Sequence, residues 1–422
     1  MPGRMEATFG AFQSRNFTVL WFGTLFAFIA FFMSTVVQGI AAFDLSGNNR
    51  AVGFVVFAQG IAQLMLGPFG GAFADRLSKK LVILVCQSVI MTCFFVLAFL
   101  VATDAIRVPL LAAGSFVIGP SFSFLGPSRQ SFMVELVDTA KRGNAVALSQ
   151  VAGNASRIIG PLLAAALLAV DRLGTAGAYM AMGVLYVGTV AATISLPRGA
   201  PPAGAQGRSV LGDVLVGFAY VRDHPPIRTL ILSYVLVIMA GFSYVTVLPG
   251  LLENELGRSA GSMTLLLGVS ALGGLGASLY VASLADSPRA RRVYTVMTLL
   301  FGMSLAGSGF APGFGILLVG MFGIGIGSGG FQTLNGALVS HMTEQAYFGR
   351  VISLTFLAFA ASSVLAWPIG IFADAAGERT TLVIMGASVM AIVAAFSLAA
   401  VREKRKEEGE KETGANPSGE HA

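Results

Sequence analysis

Apolar residues follow one another along this chain in stretches long enough to span a bilayer, with short polar gaps between them. Twelve stretches stand out, near 17–43, 51–73, 81–102, 108–135, 143–170, 174–196, 227–252, 260–285, 292–311, 313–340, 347–373 and 380–401. About 20 apolar residues in a helix cross a hydrocarbon core of roughly 30 Å, so each stretch predicts a membrane-spanning α-helix. The first stretch follows Arg4 and Arg15. It is longer than the apolar core of a secretory signal and has no small-x-small cleavage site behind it, which predicts a retained span. The pattern as a whole predicts an all-α membrane protein.

The longest break falls in the middle. "LPRGAPPAGAQGRSV", 196–210, has the Pro, Gly and Ala content of a linker and divides six spans from six. Behind it Leu211, Leu215, Phe218 and Val221 recur at helical spacing, with Asp213, Arg222 and Asp223 off that stripe. This predicts an amphipathic helix lying on a membrane face, ended by "HPP". The division is therefore an amino-terminal six-helix bundle at 1–196, a linker with its helix at 197–226, a second bundle at 227–401 and a tail at 402–422. The tail mixes charges without an apolar period and is expected to be solvated and disordered.

The halves resemble each other. Setting Asp75 on Asp286 brings "FADRLSKK" opposite "LADSPRARR", and setting Gly143 on Gly349 aligns Leu148, Ala152, Ala155 and Ser156 with Leu354, Ala358, Ala361 and Ser362. Two copies of a six-span unit predict a pseudo-two-fold axis with a cavity between the halves.

Composition agrees with the pattern: 55% of the 422 residues are hydrophobic, 11% are charged and the mean hydropathy is +0.77. The net charge of +6 is informative only by position. With the amino terminus inside, only Arg50, Arg107, Arg172, Arg258 and Arg379 fall in the outer loops, and Arg129 and Arg157 fall within spans. Every other Lys and Arg is internal. That asymmetry predicts cytoplasmic termini and argues against nucleic acid as a partner. Cys86 and Cys93 lie about two turns apart in the third span, too far to pair.

"GGAFADRLSKK" resembles the loop between spans two and three of the major facilitator superfamily, with Ser78 where a glycine is usual, and Asp286 marks a degenerate second copy. Within that superfamily, "SRNFTVLWFGTLFAF" and "FLGPSRQSFMVELVDTAKRGNAVALSQVAGNASRIIGPLLA" are similar to the branch of macrolide-efflux and enterobactin exporters. The resemblance covers about residues 14–401 and implies two pseudo-symmetric six-helix bundles, export of a small organic compound and coupling to protons. The sequence departs from the drug–proton antiporters at two places. "LLAAGSFVIGPSF" lacks their arginine early in span four, and alanines follow "IIGP" in place of glycines.

Polar residues inside spans are costly and mark candidate sites. In span five Gln150, Asn154 and Arg157 share a face with Pro161. Gln38, Gln59, Gln63, Tyr234, Tyr244, Gln332, Asn335 and Trp367 complete the candidate substrate-binding set, and an apolar pocket with few polar anchors suits an amphipathic or hydrophobic substrate. Arg157 has two readings: an anchor for an acceptor or anionic group of the substrate, or a brace on carbonyls freed near Pro161. Asp75 is the candidate gate, its carboxylate at an inner helix end meeting the positive amino end of a helix near Gly349, with Asp286 doing the same toward Gly143. Arg76, Lys79, Lys80 and Arg350 belong to the same gating set. Arg129 is expected to form an ion pair with Asp75 or Glu135. Asp44 and Glu135 are the candidates for proton coupling, since no acid falls at mid-span.

Enzymatic readings find no support. His224, His341 and His421 are scattered, which rules out a histidine metal cluster or a buried Ser-His-acid set. "GIGIGSGG", 323–330, lies inside an apolar span and not at a strand–helix turn, so its glycines predict close helix packing and not a phosphate loop. No cofactor and no metal is expected. The partners expected are the bilayer, a small organic substrate and, through the resemblance, protons. A facilitator or importer, including one for lysophospholipids, and a membrane sensor or assembly protein without transport remain as alternatives.

Overall fold

A computed structural model of the chain describes residues 10–414, apart from 77, 139–140, 171, 198–209, 285–286 and 345–346. At 67–76, 127, 131, 134, 143, 146–147, 150, 154, 210–214, 348–349, 352–353, 356 and 398–414 it describes backbone alone. Six helices form the first half: α1 (Arg15–Ser46), α2 (Asn49–Arg76), α3 (Lys79–Ala102), α4 (Val108–Glu135), α5 (Arg142–Leu168) and α6 (Gly174–Ser195). The surface helix α7 (Val210–Asp223) follows. The second half comprises α8 (Pro225–Gly241), α9 (Met263–Ala282), α10 (Ala290–Gly309), α11 (Phe314–Met342), α12 (Phe348–Ala376) and α13 (Glu378–Gly414).

Among the described residues, 11 helices are long and apolar enough to cross a membrane. The remaining stretch, 292–311, forms α10, which carries Arg291 and Arg292 in its first turn and packs against both α11 and α13. Caps match the local chemistry. The Ser14 hydroxyl accepts from Phe17 N at the start of α1, and Gly47 takes φ 65° behind it, a left-handed position that glycine occupies without a Cβ clash.

Two elements differ from the sequence reading. The apolar run 227–252 is not one helix. After Gly241 it tightens into a 3₁₀ turn (Phe242–Thr246), then a short helical turn (Leu248–Gly250) and a π turn (Leu251–Glu255). Pro249 has no N–H to donate to the preceding turn, and the Ser243 hydroxyl leaves its own helix to donate to Ser362 O at 2.8 Å. At the other end of the half, α13 continues to Gly414, where a disordered tail from Arg402 was expected. Glu407 precedes Lys411, and Lys404 precedes Glu408, by four positions, a spacing at which opposite charges support a helix that has no apolar face.

Helix contacts within the second half depend on glycine. Gly325 lies against Ser270 O and Gly329 against Gly274, so one face of α11 meets α9 backbone to backbone. Gly327 and Gly330 bring the other face against Phe301 and Met297 of α10. The glycine run 323–330 is thus a packing device, and Ser278 adds a hydrogen bond to Gly329 O at 3.2 Å.

The halves meet mainly along α2 and α12 and along α5 and α9. On the first seam Gly53 sits on Ala366 O, Gly60 on Ser363 and Gly370 on the main chain of Asn49. The predicted surface helix α7 is present and packs on α12 and α2, with Tyr220 stacked on Tyr347 at 4.3 Å. Its stripe is split: Val221 is buried, while Leu215 and Phe218 face outward, as a helix lying in a membrane interface requires.

Gly329→Val should separate α9 from α11, because a Cβ there would already come within 2.5 Å of Gly274 O. The expected loss is about 1–3 kcal/mol, seen as a lowered melting temperature of the purified protein. Gly336→Ala, which meets nothing within 4 Å, should leave that temperature unchanged or raise it.

Candidate functional site

The two ends of the bundle differ in what their charges do. At the end that carries Lys79, Lys80 and Lys141, an ion pair and hydrogen bonds from lysines tie segments of the first half together. Lys79 bonds Glu135, joining α3 to α4, and Lys80 donates to Leu196 O and, at 2.8 Å, to Ile194 O at the end of α6. Lys141 donates to Gln13 at 2.8 Å. Glu135 is therefore held by Lys79, and the pair expected between Glu135 and Arg129 is not formed. Arg129 lies six positions earlier in α4, beyond the reach of a carboxylate already held at the helix end, and its guanidinium sits over the Phe28 ring at 4.3 Å.

At the opposite end, polar groups join the two halves. Asp374, in the last turn of α12, accepts from Asn49 N at 2.8 Å through one carboxylate oxygen and from Arg50 N at 2.9 Å through the other. These are the free N–H groups at the amino end of α2, where the helix dipole favours negative charge. Asn49 is fully buried; its side-chain N–H₂ donates to Glu378 at 2.9 Å, and its oxygen accepts from Gly250 N at 3.2 Å. Asn254 adds a bond to the same Glu378 oxygen at 2.7 Å, and Arg379 pairs with Glu255 at 2.8 Å. A cleft of about 400 Å³ lies over this cluster, lined by Asn48, Arg50, Asn254 and Asp374.

Between the ends lies Arg157. Protein crowds around its guanidinium, yet the side chain is exposed. A residue on the wall of a deep open cavity has both properties; a lipid-facing residue has only the second. Its ring neighbour is Phe32, 5.7 Å away, and Tyr234 of the other half is close enough to interact with it electrostatically. Tyr234 is buried with its ring edge-on to Phe331 at 5.7 Å.

The remaining candidates divide by surroundings. Gln38 is buried and accepts from Ser115 at 3.1 Å, a bond between α1 and α4. Gln59 lies half-buried at the α2–α4 contact, where Gly119 approaches its carbonyl, and Gln63 is half-buried one turn on. Tyr244 is buried beside Ser270. Gln332 bonds Ser328 O of its own helix at 3.0 Å, and Asn335 is buried. Trp367 packs on Phe54 and Phe57 along the α2–α12 seam. Arg350 lies 5.7 Å from the Tyr347 ring, and Asp44 is exposed near the end of α1, in the field of Glu253. The side chains of Asp75, Arg76, Gln150 and Asn154, and all of Asp286, lie outside the described residues. Sequence reasoning missed Asn49, Asp374, Glu378, Phe28 and Phe32. The available signal was a pair of asparagines opening span two and an acid closing span eleven.

Comparison with known proteins agrees with this architecture. The chain is 24% identical over 375 residues to the staphyloferrin A transporter of Staphylococcus aureus, covering 88% of this chain and 93% of that protein. A shorter stretch of 146 residues is 27% identical to the purine ribonucleoside efflux pump NepI of Escherichia coli, covering 34% of this chain and 36% of the pump. Among solved structures, the nucleoside transporter NupG superposes with a TM-score of 0.75 at 14% identity, covering 91% of this chain and 99% of its own. A bacterial homologue of the human lysosomal transporter Spinster, inward-facing and unoccupied, gives 0.73 at 14% identity, covering 92% and 97%. The family model described as transmembrane secretion effector matches residues 6–418, and the chain belongs to that family, a multi-pass secondary transporter of the major facilitator fold.

Proposed function

We propose that this transporter exports a small amphipathic organic compound by alternating access, with Arg157 as the polar anchor of the substrate. The observation that carries the reading is the position of Arg157, exposed while protein surrounds it, beside Phe32 and facing Tyr234 of the other half. A guanidinium keeps its proton, so its charge at this depth needs water or a ligand acceptor. Aromatic and apolar walls around one fixed charge suit an amphipathic molecule. The staphyloferrin A transporter and the NepI efflux pump both carry small organic compounds by name, and this supports the substrate class without fixing the molecule.

The bias of Lys and Arg places the Lys79 end in the cytoplasm. The Asp374 seal then closes the outer side, and the cavity of Arg157 opens inward, ready to load from the cytoplasm. Coupling to protons follows the family resemblance. Asp44 and Glu135, both at helix ends, are the candidate acids, and Asp75 remains the candidate inner latch against the amino end of α12.

Arg157→Gln and Arg157→Lys should each lower export by about ten-fold or more with normal expression, measured as substrate accumulation with and without a proton uncoupler. Wild-type substrate affinity in both variants would leave only the bracing role. Asp374→Ala removes two charge-assisted bonds to the α2 amino end and should weaken the outer closure by roughly 1–2 kcal/mol. The expected readout is faster labelling of a cysteine at position 373 by an impermeant thiol reagent. Unchanged labelling would remove Asp374 from the gate.

A further inference from the structure

Arg129 and Arg157 come from different helices, α4 and α5, but the same helix supports them both. Arg129 lies over Phe28 and Arg157 beside Phe32. Phe28 and Phe32 are four positions apart on α1, one above the other on one face, displaced by about 6 Å along its axis. Thr35 extends that face and is exposed, with its hydroxyl donating to Phe31 O at 3.1 Å. Two fixed positive charges are therefore offset by about one helical turn along an aromatic wall. Among the residues described with their side chains, every Asp and Glu lies at or near a helix end or in a loop or turn, and neither arginine forms an ion pair with any of them.

We propose that Arg129 and Arg157 form a two-point clamp, and that the cargo of this cavity is an amphipathic organic dianion whose two carboxylates are spaced to meet both guanidinium groups. The inference rests on the reading of the cavity as the transport path and adds to it the charge and spacing of the substrate. Two like charges in a low-dielectric cavity repel each other and are both costly; a ligand with two carboxylates removes both penalties at once, whereas a neutral or singly charged ligand leaves at least one. Planar guanidinium groups also present paired donors that match carboxylates, so the clamp discriminates by geometry as well as by charge. The Phe28 and Phe32 rings hold the guanidinium planes in place when the site is empty and form an apolar face for the body of the ligand.

The test uses the full-length protein in neutral phosphatidylcholine nanodiscs and three probes of one shape: a biphenyl with two meta carboxylates on one ring, the same biphenyl with one, and the dimethyl diester of the first. Calorimetric titration should rank diacid above monoacid above diester, with at least about a ten-fold step from diacid to monoacid. Arg129→Gln and Arg157→Gln should each bring the diacid down to the affinity of the monoacid while leaving the monoacid within about three-fold. Equal binding of diacid and diester, or no diacid binding at all, overturns the clamp. That ranking is read on the wild type, so a variant that fails to fold does not shield the proposal. Inorganic phosphate binding more tightly than the diacid, or displacement of the diacid by added phosphatidylglycerol, assigns the charges to a phosphate or a lipid headgroup and overturns the carboxylate class. Cysteine labelling at both ends of the bundle, with and without Asp374→Ala, reports separately on alternating access. Alternation without diacid binding defeats the clamp alone, and no alternation defeats the transport reading beneath it.

Discussion

A main-chain N–H or C=O group inside a bilayer finds no water, and this constraint governs everything else in the molecule. It favours a helix at every crossing and leaves unsatisfied groups chiefly at helix ends and opposite internal prolines. The α2 amino end is one such place, and Asp374 occupies it from the other half. Within the spans, the same constraint makes helices adhere through close backbone approach and not through apolar attraction, which lipid offers equally. The Gly325 and Gly329 contacts with α9 are that approach in its tightest form.

The function follows from combining tight seams with a loose interior. The α2–α12 seam is glycine-lined and tightly packed at the Asn49 end, while Arg157 in α5 is exposed. Pro161 lies four residues after Arg157, so the Arg157 carbonyl lacks its usual helical donor. A charged cavity wall on a helix with one missing bond is suited to a binding site that must change its access.

Much of the architecture was legible because membrane helices are written in runs of apolar residues. The spans, α7 and the packing role of 323–330 all follow from composition and period, which are local properties; the linker at 198–209 lies outside the described residues. The break after Gly241 was not read, since 227–252 is predominantly apolar, and the bond from Ser243 to Ser362 of α12 that accompanies the 3₁₀ turn joins residues 119 positions apart. Glu135 was assigned to Arg129 on nearness along the chain, whereas Lys79, 56 residues away, is nearer in space. Asp374 and Glu378 read as loop acids because their partners, Asn49 and the α2 amino end, lie more than 300 residues earlier. The arginines within spans four and five were visible in the sequence, but not the two phenylalanines they lie against.

The Asp374 contact between the halves has an evolutionary consequence. Its carboxylate recognises main-chain N–H groups at positions 49 and 50, and every residue except proline presents such a group. Position 50 can therefore drift through most of the amino-acid alphabet while the closure keeps its partner, and the burden of retention falls on the acid at 374 and on the buried Asn49. In a set of relatives this contact would leave a one-sided trace, an acid retained at the end of one helix opposite a position free to vary, and a search for co-varying pairs across the two halves would pass over it.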